Sequence, residues 1–317
     1  MLRLPTYVAI AAAALGAGNE HAAAQTSSDD AAARFTEQGA DTCLGCHNSA
    51  SMLEIFRTPH GAATDPDSPM ASLQCESCHG PGGQHADRRT VRRDHAAVIE
   101  FGRDADTAVT DQDAVCTRCH QNESTRAWTG SEHERNETGC SGCHRIHTPS
   151  DPILSRAGQT DVCFDCHRRQ RADALKPSAH PLITVAPARV GALVCTDCHN
   201  PHGSAAGGLL TRPSINELCF DCHAEYRGPV IFDHAPVSED CSICHEPHGS
   251  IHAPLLTRRA PLLCQSCHSQ RGHPSVPFTD QSLPGARPSP MLLGRSCVNC
   301  HTQVHGSNHP SGFNLMR

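Results

Sequence analysis

Twenty cysteines are spread along 317 residues, and every one belongs to a C-x-x-C pair. The pairs are Cys43 and Cys46, Cys75 and Cys78, Cys116 and Cys119, Cys140 and Cys143, Cys163 and Cys166, Cys195 and Cys198, Cys219 and Cys222, Cys241 and Cys244, Cys264 and Cys267, and Cys297 and Cys300. A histidine follows each pair directly: His47, His79, His120, His144, His167, His199, His223, His245, His268 and His301. Paired thiols alone suit a zinc half-site, a redox dithiol or a disulfide framework. None of those needs an imidazole fixed at the next position. With 24 histidines in 317 residues, chance would supply fewer than one at these positions, and all ten are filled. C-x-x-C-H is the attachment signature of c-type haem. The two thiols add to the haem vinyl groups as thioethers, and the histidine reaches the iron from one face. The motifs predict ten covalent haem c groups.

The motifs fall into five couples, with first cysteines at 43 and 75, 116 and 140, 163 and 195, 219 and 241, and 264 and 297. Each couple carries further histidines. His60, His133, His180, His234 and His273 lie between the two motifs of a couple. His85, His147, His202, His248 and His305 lie just after the second motif. Ten irons need ten second axial ligands, and these ten imidazoles are the candidates. In "CTDCHNPHG" (Cys195–Gly203) and "CSICHEPHG" (Cys241–Gly249) the second histidine comes three residues after the first. Three residues reach at most about 11 Å, too little to carry a chain round a macrocycle to its other face. His202 must then serve a neighbour of the haem held by His199, and His147 and His248 share that constraint. His21, His95, His252 and His309 fall outside the scheme. Of these, His309 in "VHGSNHPSG" competes with His305 as a ligand.

The surrounding chain must position these groups with little apolar material. Aromatic residues are 3% of the total, with one Trp and two Tyr, against 24 Gly and 23 Pro. An aliphatic and aromatic core of ordinary size is out of reach. Ten apolar macrocycles would fill the interior instead, and the apo chain should be largely unfolded. The expected fold class is a multihaem cytochrome c: mostly coil with short α-helices, little or no β-sheet, organised around a chain of ten covalently bound haems. Pro and Gly punctuate the stretches between motifs. Short helices carry some motifs, as in "SINELCFDCHAEYR" with Ser214 as N-cap.

Arg3, the apolar "LPTYVAIAAAALGAG" and "AAAQ" at Ala22–Gln25 read as a secretory signal. The expected organisation is a signal peptide over 1–24, a flexible segment over 25–40 and a decahaem electron-transfer domain over 41–317. That domain divides into five two-haem repeats, about 41–90, 112–150, 159–205, 215–252 and 260–317. No later stretch could cross a bilayer as a helix. The formal net charge is −7, and haem propionates would deepen it, which argues against a nucleic-acid partner. "RRTVRRDH" (Arg88–His95) is a basic cluster that reads as a solvated loop.

Several stretches resemble signatures of the MtrA-type (DmsE-like) decahaem c-type cytochromes. They are "LQCESCHGPGGQH" (Leu73–His85), "SAHPL" (Ser178–Leu182), "CTDCHNPHGS", "CFDCHAEYRGP", "DHAPV" (Asp233–Val237) and "QVHGSNHPSG" (Gln303–Gly312). The resemblance covers about 41–317. It implies a periplasmic, outer-membrane-associated cytochrome that is not an enzyme. Such a protein sits in a β-barrel porin and conducts electrons between periplasmic carriers and an extracellular or terminal partner, typically another c-type cytochrome. The barrel would face lipid, not this chain. Two alternatives are a soluble periplasmic shuttle to a reductase and a multihaem reductase. The latter needs an iron with an open position, and the spare histidines suffice to close all ten.

Overall fold

The computed structural model describes residues 34–87, 97–183, 192–268 and 297–316. The expected signal peptide, His21, the basic cluster Arg88–His95 and His273 lie outside the described residues.

The first rule of the fold is local. In all ten motifs the histidine N–H donates to the carbonyl of the first cysteine, at 2.8–3.0 Å. Residues i, i+3 and i+4 share one face of a helical turn. One closed turn therefore aims two thiols and an imidazole the same way, and this is why the spacing is C-x-x-C-H.

The two motifs of a couple are built differently. Each leading motif lies at the end of a short α-helix: Ala40–Leu44, Val109–Thr117, Arg156–Phe164, Ile215–Phe220 and Ala260–Gln265. Ser155 and Ser214 cap two of these, each hydroxyl accepting the N–H three residues on. Four trailing motifs open instead on 3-10 turns, Cys140–Gly142, Cys195–Asp197, Cys241–Ile243 and Cys297–Asn299. The remaining one is the α-turn Glu76–His79. Coil joins them. Among the described residues the only β features are isolated bridges, so the chain has the mostly coil, sheet-free character expected of it.

Polar side chains on the leading helices hold the trailing turns. Asp113 Oδ1 accepts from the Cys140 N–H, and Asn216 Oδ1 from the Cys241 N–H, both at 2.8 Å. Gln159 Oε1 accepts from the Thr196 N–H at 3.2 Å. Asp113 Oδ2 also accepts from the Trp128 indole N–H at 2.8 Å. Gln112, Asp113, Gln159 and Thr160 are buried beside Trp128, Phe164 and Val194. The bonds of Gln112, Asp113 and Gln159 offset the cost of burying them, while Thr160 Oγ1 is buried without a hydrogen-bond partner among the described residues.

Successive couples clasp each other. Ser178 and Ser250 exchange backbone hydrogen bonds of 3.1 and 2.7 Å, and Phe232 and Ser307 do so at 2.9 and 2.8 Å. Each join ties the segment inside one couple to the segment that follows the next couple. Two glycines make the approach possible. Gly203 has φ +123° and Gly249 φ +148°. A Cβ there would collide with the backbone carbonyls of Ala127 and Asp173, respectively. The glycine after His202 and after His248 is thus room for a neighbouring backbone.

Candidate haem sites

The structure places the histidines in facing pairs. His47 faces His85, His60 faces His120, His79 faces His147, His133 faces His167 and His144 faces His202. His180 faces His223, His199 faces His248, His234 faces His268 and His245 faces His305. Ring centroids are 5.9–6.5 Å apart in all nine pairs. An imidazole nitrogen sits about 2 Å from a metal it ligates, and about 1 Å from its ring centre, so two imidazoles across one ion lie roughly 6 Å apart. The pairs have the spacing of axial ligands. His301 is the tenth motif histidine, and His273, the candidate left over, lies outside the described residues.

One rule generates the pairs. A histidine inside a couple faces the leading motif of the next couple, as His133 faces His167. A histidine after a couple faces the trailing motif of the previous one, as His202 faces His144 and not His199. His85 has no earlier couple and faces His47 of its own. At the C-terminal end His305 faces His245, whereas His309 Nδ1 accepts from the Ser311 N–H at 3.1 Å and lies 2.7 Å from its hydroxyl.

Hydrogen bonds at the second ring nitrogen fix orientation. The Nδ1–H groups of His79, His199, His245 and His301 donate to the carbonyls of Ile99, Gly208, Pro254 and Asn314 at 2.6–3.0 Å. Those of His133, His180 and His234 donate to Pro201, Pro247 and Val304 at 2.8–2.9 Å. Each of these last three carbonyls belongs to the residue just before the next couple's trailing-side histidine. A carbonyl can only accept, so Nδ1 carries the proton and Nε2 keeps its lone pair for a metal. Burial first, then the facing imidazole, pushes the pKa of His60, His147, His202, His248 and His305 below the usual histidine value. The neutral ring is the ligating form.

The thiols are strung in chain order. Within couples the first cysteines are electrostatic neighbours: Cys43 and Cys75, Cys116 and Cys140, Cys163 and Cys195, Cys219 and Cys241, and Cys264 and Cys297. Between couples the second cysteines are electrostatic neighbours: Cys78 with Cys119, Cys143 with Cys166, Cys198 with Cys222 and Cys244 with Cys267. All twenty cysteines are free of disulfides. Burial, followed by the adjacent thiol, pushes Cys43 and Cys264 up to about 11 and Cys219 up to about 12. The hydrogen bond from Cys163 brings Cys195 down to about 7 against the effect of burial.

Some neighbours of the row have no signature in the sequence. Arg103 reaches the junction of Cys143 and Cys166, with Nη1 3.1 Å from Cys166 Sγ and Nη2 donating to the Gly142 carbonyl at 3.0 Å. The Tyr226 ring lies 4.4 Å from that of His305 and 6.1 Å from that of His223. Asp151 Oδ2 stands 2.9 Å from His144 Nδ1. They come from coil or from single turns, where no periodicity marks a side chain as facing the site.

Ten one-turn C-x-x-C-H units, nine of them with a facing imidazole, and no sheet among the described residues define a multihaem c-type cytochrome. Models of three families match the sequence: the doubled CXXCH motif over residues 186–228 and 234–273, the cytochrome c-type protein NrfB-like family over 75–166, and cytochrome c554 and c-prime over 7–80. The multiheme cytochrome MtrA of Shewanella baltica (strain OS185) is 46% identical over 286 residues, which are 89% of this chain and 83% of that protein. The cytochrome c-type protein NrfB of Escherichia coli O6:H1 is 28% identical over 46% of this chain and 74% of its own. The C-type polyheme cytochrome OmcB of Geobacter sulfurreducens is 23% identical over 55% of this chain and 27% of its own. The chain belongs to the MtrA family of multihaem cytochromes. It binds haem c through its C-x-x-C-H motifs and serves electron conduction. No helix among the described residues is long and apolar enough to cross a membrane.

Proposed function

We propose that the chain carries ten haems in single file and conducts electrons along them between periplasmic carriers and an extracellular or terminal partner, seated in a β-barrel porin at the outer membrane. The observation that carries this reading is the series of facing histidines, 5.9–6.5 Å between ring centroids, that joins each couple to the next from the first to the fifth. When bound, the haems supply one-electron sites along that row.

The chain's own residues do the rest. Each cysteine pair would tether a macrocycle, with the following histidine and the histidine that faces it as the two iron ligands; His273 is the candidate left over and lies outside the described residues. Nδ1–H bonds to carbonyls fix the tautomer in which Nε2 would be the ligating atom. Two imidazoles for every iron leave no coordination position for a substrate, which favours conduction over a reductase. An unbranched row has two ends, which suits a link between two partners. The porin and the outer-membrane setting rest on the family resemblance, and a barrel would shield the row from lipid.

Intact mass and a haem count test the first part, with ten thioether-linked haems expected. Electron paramagnetic resonance (EPR) of the oxidised protein should show low-spin iron throughout. A substantial high-spin signal from intact protein would overturn full ligation and favour the reductase. Co-purification from outer-membrane fractions tests the setting. Recovery in the soluble periplasm without a barrel protein would favour the shuttle.

A further inference from the structure

Among the described residues two motif histidines, His144 and His223, set Nδ1 against a carboxylate, and only the carboxylate at His144 is buried. Seven histidines of the row give their Nδ1–H to neutral backbone carbonyls. His144 instead faces a carboxylate, Asp151 Oδ2, at 2.9 Å. The Asp151 side chain is 8% exposed and the His144 ring 27%. The other carboxylate in such a place, Glu225 Oε1, lies 3.3 Å from His223 Nδ1, and that pair is 58% and 52% exposed. Water screens the latter contact far more than the former.

We infer that Asp151 is a positioning residue that lowers the reduction potential of the iron at Cys140 and Cys143 relative to its neighbours. This rests on the proposed reading of His144 and His202 as that iron's axial pair. The couple is a single electron taken up at the iron, with no bond made or broken. A carboxylate on the remote nitrogen makes the ligating nitrogen more basic and fixes the ring's tautomer. It also places a negative charge in a poorly screened position near the metal. Both effects favour the oxidised ion, which carries one more positive charge. Electrons moving along the row would therefore meet a raised step at the fourth of ten motifs.

Asp151 also has a structural task. Its Oδ1 caps the turn Pro152–Leu154 by accepting from the Ile153 N–H at 3.4 Å. Asp151→Asn keeps the shape and removes the charge, and its single amide oxygen can accept either from the Ile153 N–H or from the His144 Nδ1–H. The test is an EPR-monitored redox titration of the ten-haem protein, wild type against Asp151→Asn and Glu225→Gln. His202→Ala marks the iron concerned, because that iron alone should turn high-spin.

In Asp151→Asn one midpoint should rise while every iron stays low-spin. A tenfold loss of preference for the oxidised ion corresponds to about 59 mV for one electron, and the rise should be of that order. Glu225→Gln should shift its own haem by clearly less. Unchanged midpoints in Asp151→Asn would overturn the inference, since a merely structural aspartate would leave potentials alone. A uniform shift of all ten, or an equal shift in Glu225→Gln, would overturn it too. If His202→Ala leaves every iron low-spin, the axial pairing itself fails. If only Asp151→Asn is silent, the pairing stands and the role of Asp151 falls.

Discussion

Replacing Gly249 by alanine tests the clasp between couples at its tightest point. Gly249 directly follows His248, which faces His199 at 5.9 Å between ring centroids. Its φ of +148° lies where side chains are rarely found, and holding alanine there costs about 1–3 kcal/mol. The new Cβ would also meet the carbonyl of Asp173. Non-bonded contacts settle near 3.5 Å or beyond, so the two segments must part by about 1.5 Å. A metal–imidazole bond is only about 2 Å long, and the displaced backbone is the one that carries His248. The imidazole should leave its iron, turning one iron in ten high-spin while haem content stays constant. Spin quantitation by EPR, normalised to haem, reads this directly. Gly130→Ala is the control: φ is +80°, yet a Cβ there would meet nothing within 4 Å. It should lower stability through backbone strain alone and leave every iron low-spin. Wholly low-spin iron and an unchanged melting temperature in Gly249→Ala would refute the reasoning, because neither crowding nor strain would then have reached the site.

His202→Ala should change the iron at Cys140 and Cys143 and spare the one held by His199, since the His202 ring faces His144 at 6.1 Å. Spectroscopy that resolves the perturbed iron checks this, and perturbation of the His199 iron would contradict the pairing. Ser214→Ala removes the hydroxyl that caps Ile215–Phe220 and should destabilise that helix by about 1 kcal/mol, read as a lower melting temperature with full haem content. Cysteine-to-alanine changes across several motifs should give a protease-sensitive chain without a cooperative melt, because buried apolar side chains are few; a sharp melt of that apo chain would show a polypeptide core strong enough to fold alone.

The sequence made the chemistry legible because covalent attachment demands fixed spacing. Ten C-x-x-C-H units cannot hide in a chain, and a turn of helix is all each one needs. The general texture was equally plain, since 47 glycines and prolines against eleven aromatic residues leave coil as the default. Ser214 as a cap was readable from its place before a short apolar run, and the structure has it there. Partner choice was different. That His60 faces His120, two motifs downstream, depends on how couples stack, and no local spacing encodes it. Asp151 illustrates the same boundary. An aspartate seven residues after a motif histidine is unremarkable until the turn at Pro152–Leu154 folds it back onto the ring.

The offset in the histidine pairs has a consequence for how such a chain can change length. On the proposed ligation, all but the terminal irons are shared property, with one ligand drawn from each of two consecutive couples. Excising one couple whole would let its neighbours close over the gap with every valence satisfied, like removing a course from bonded brickwork. Cutting inside a couple would strand imidazoles on one side and irons on the other. His85, which turns back on His47, is the cut end of the pattern, where a half-brick squares off the wall. The row can therefore grow or shrink in steps of two metal centres, and coordination itself polices the register.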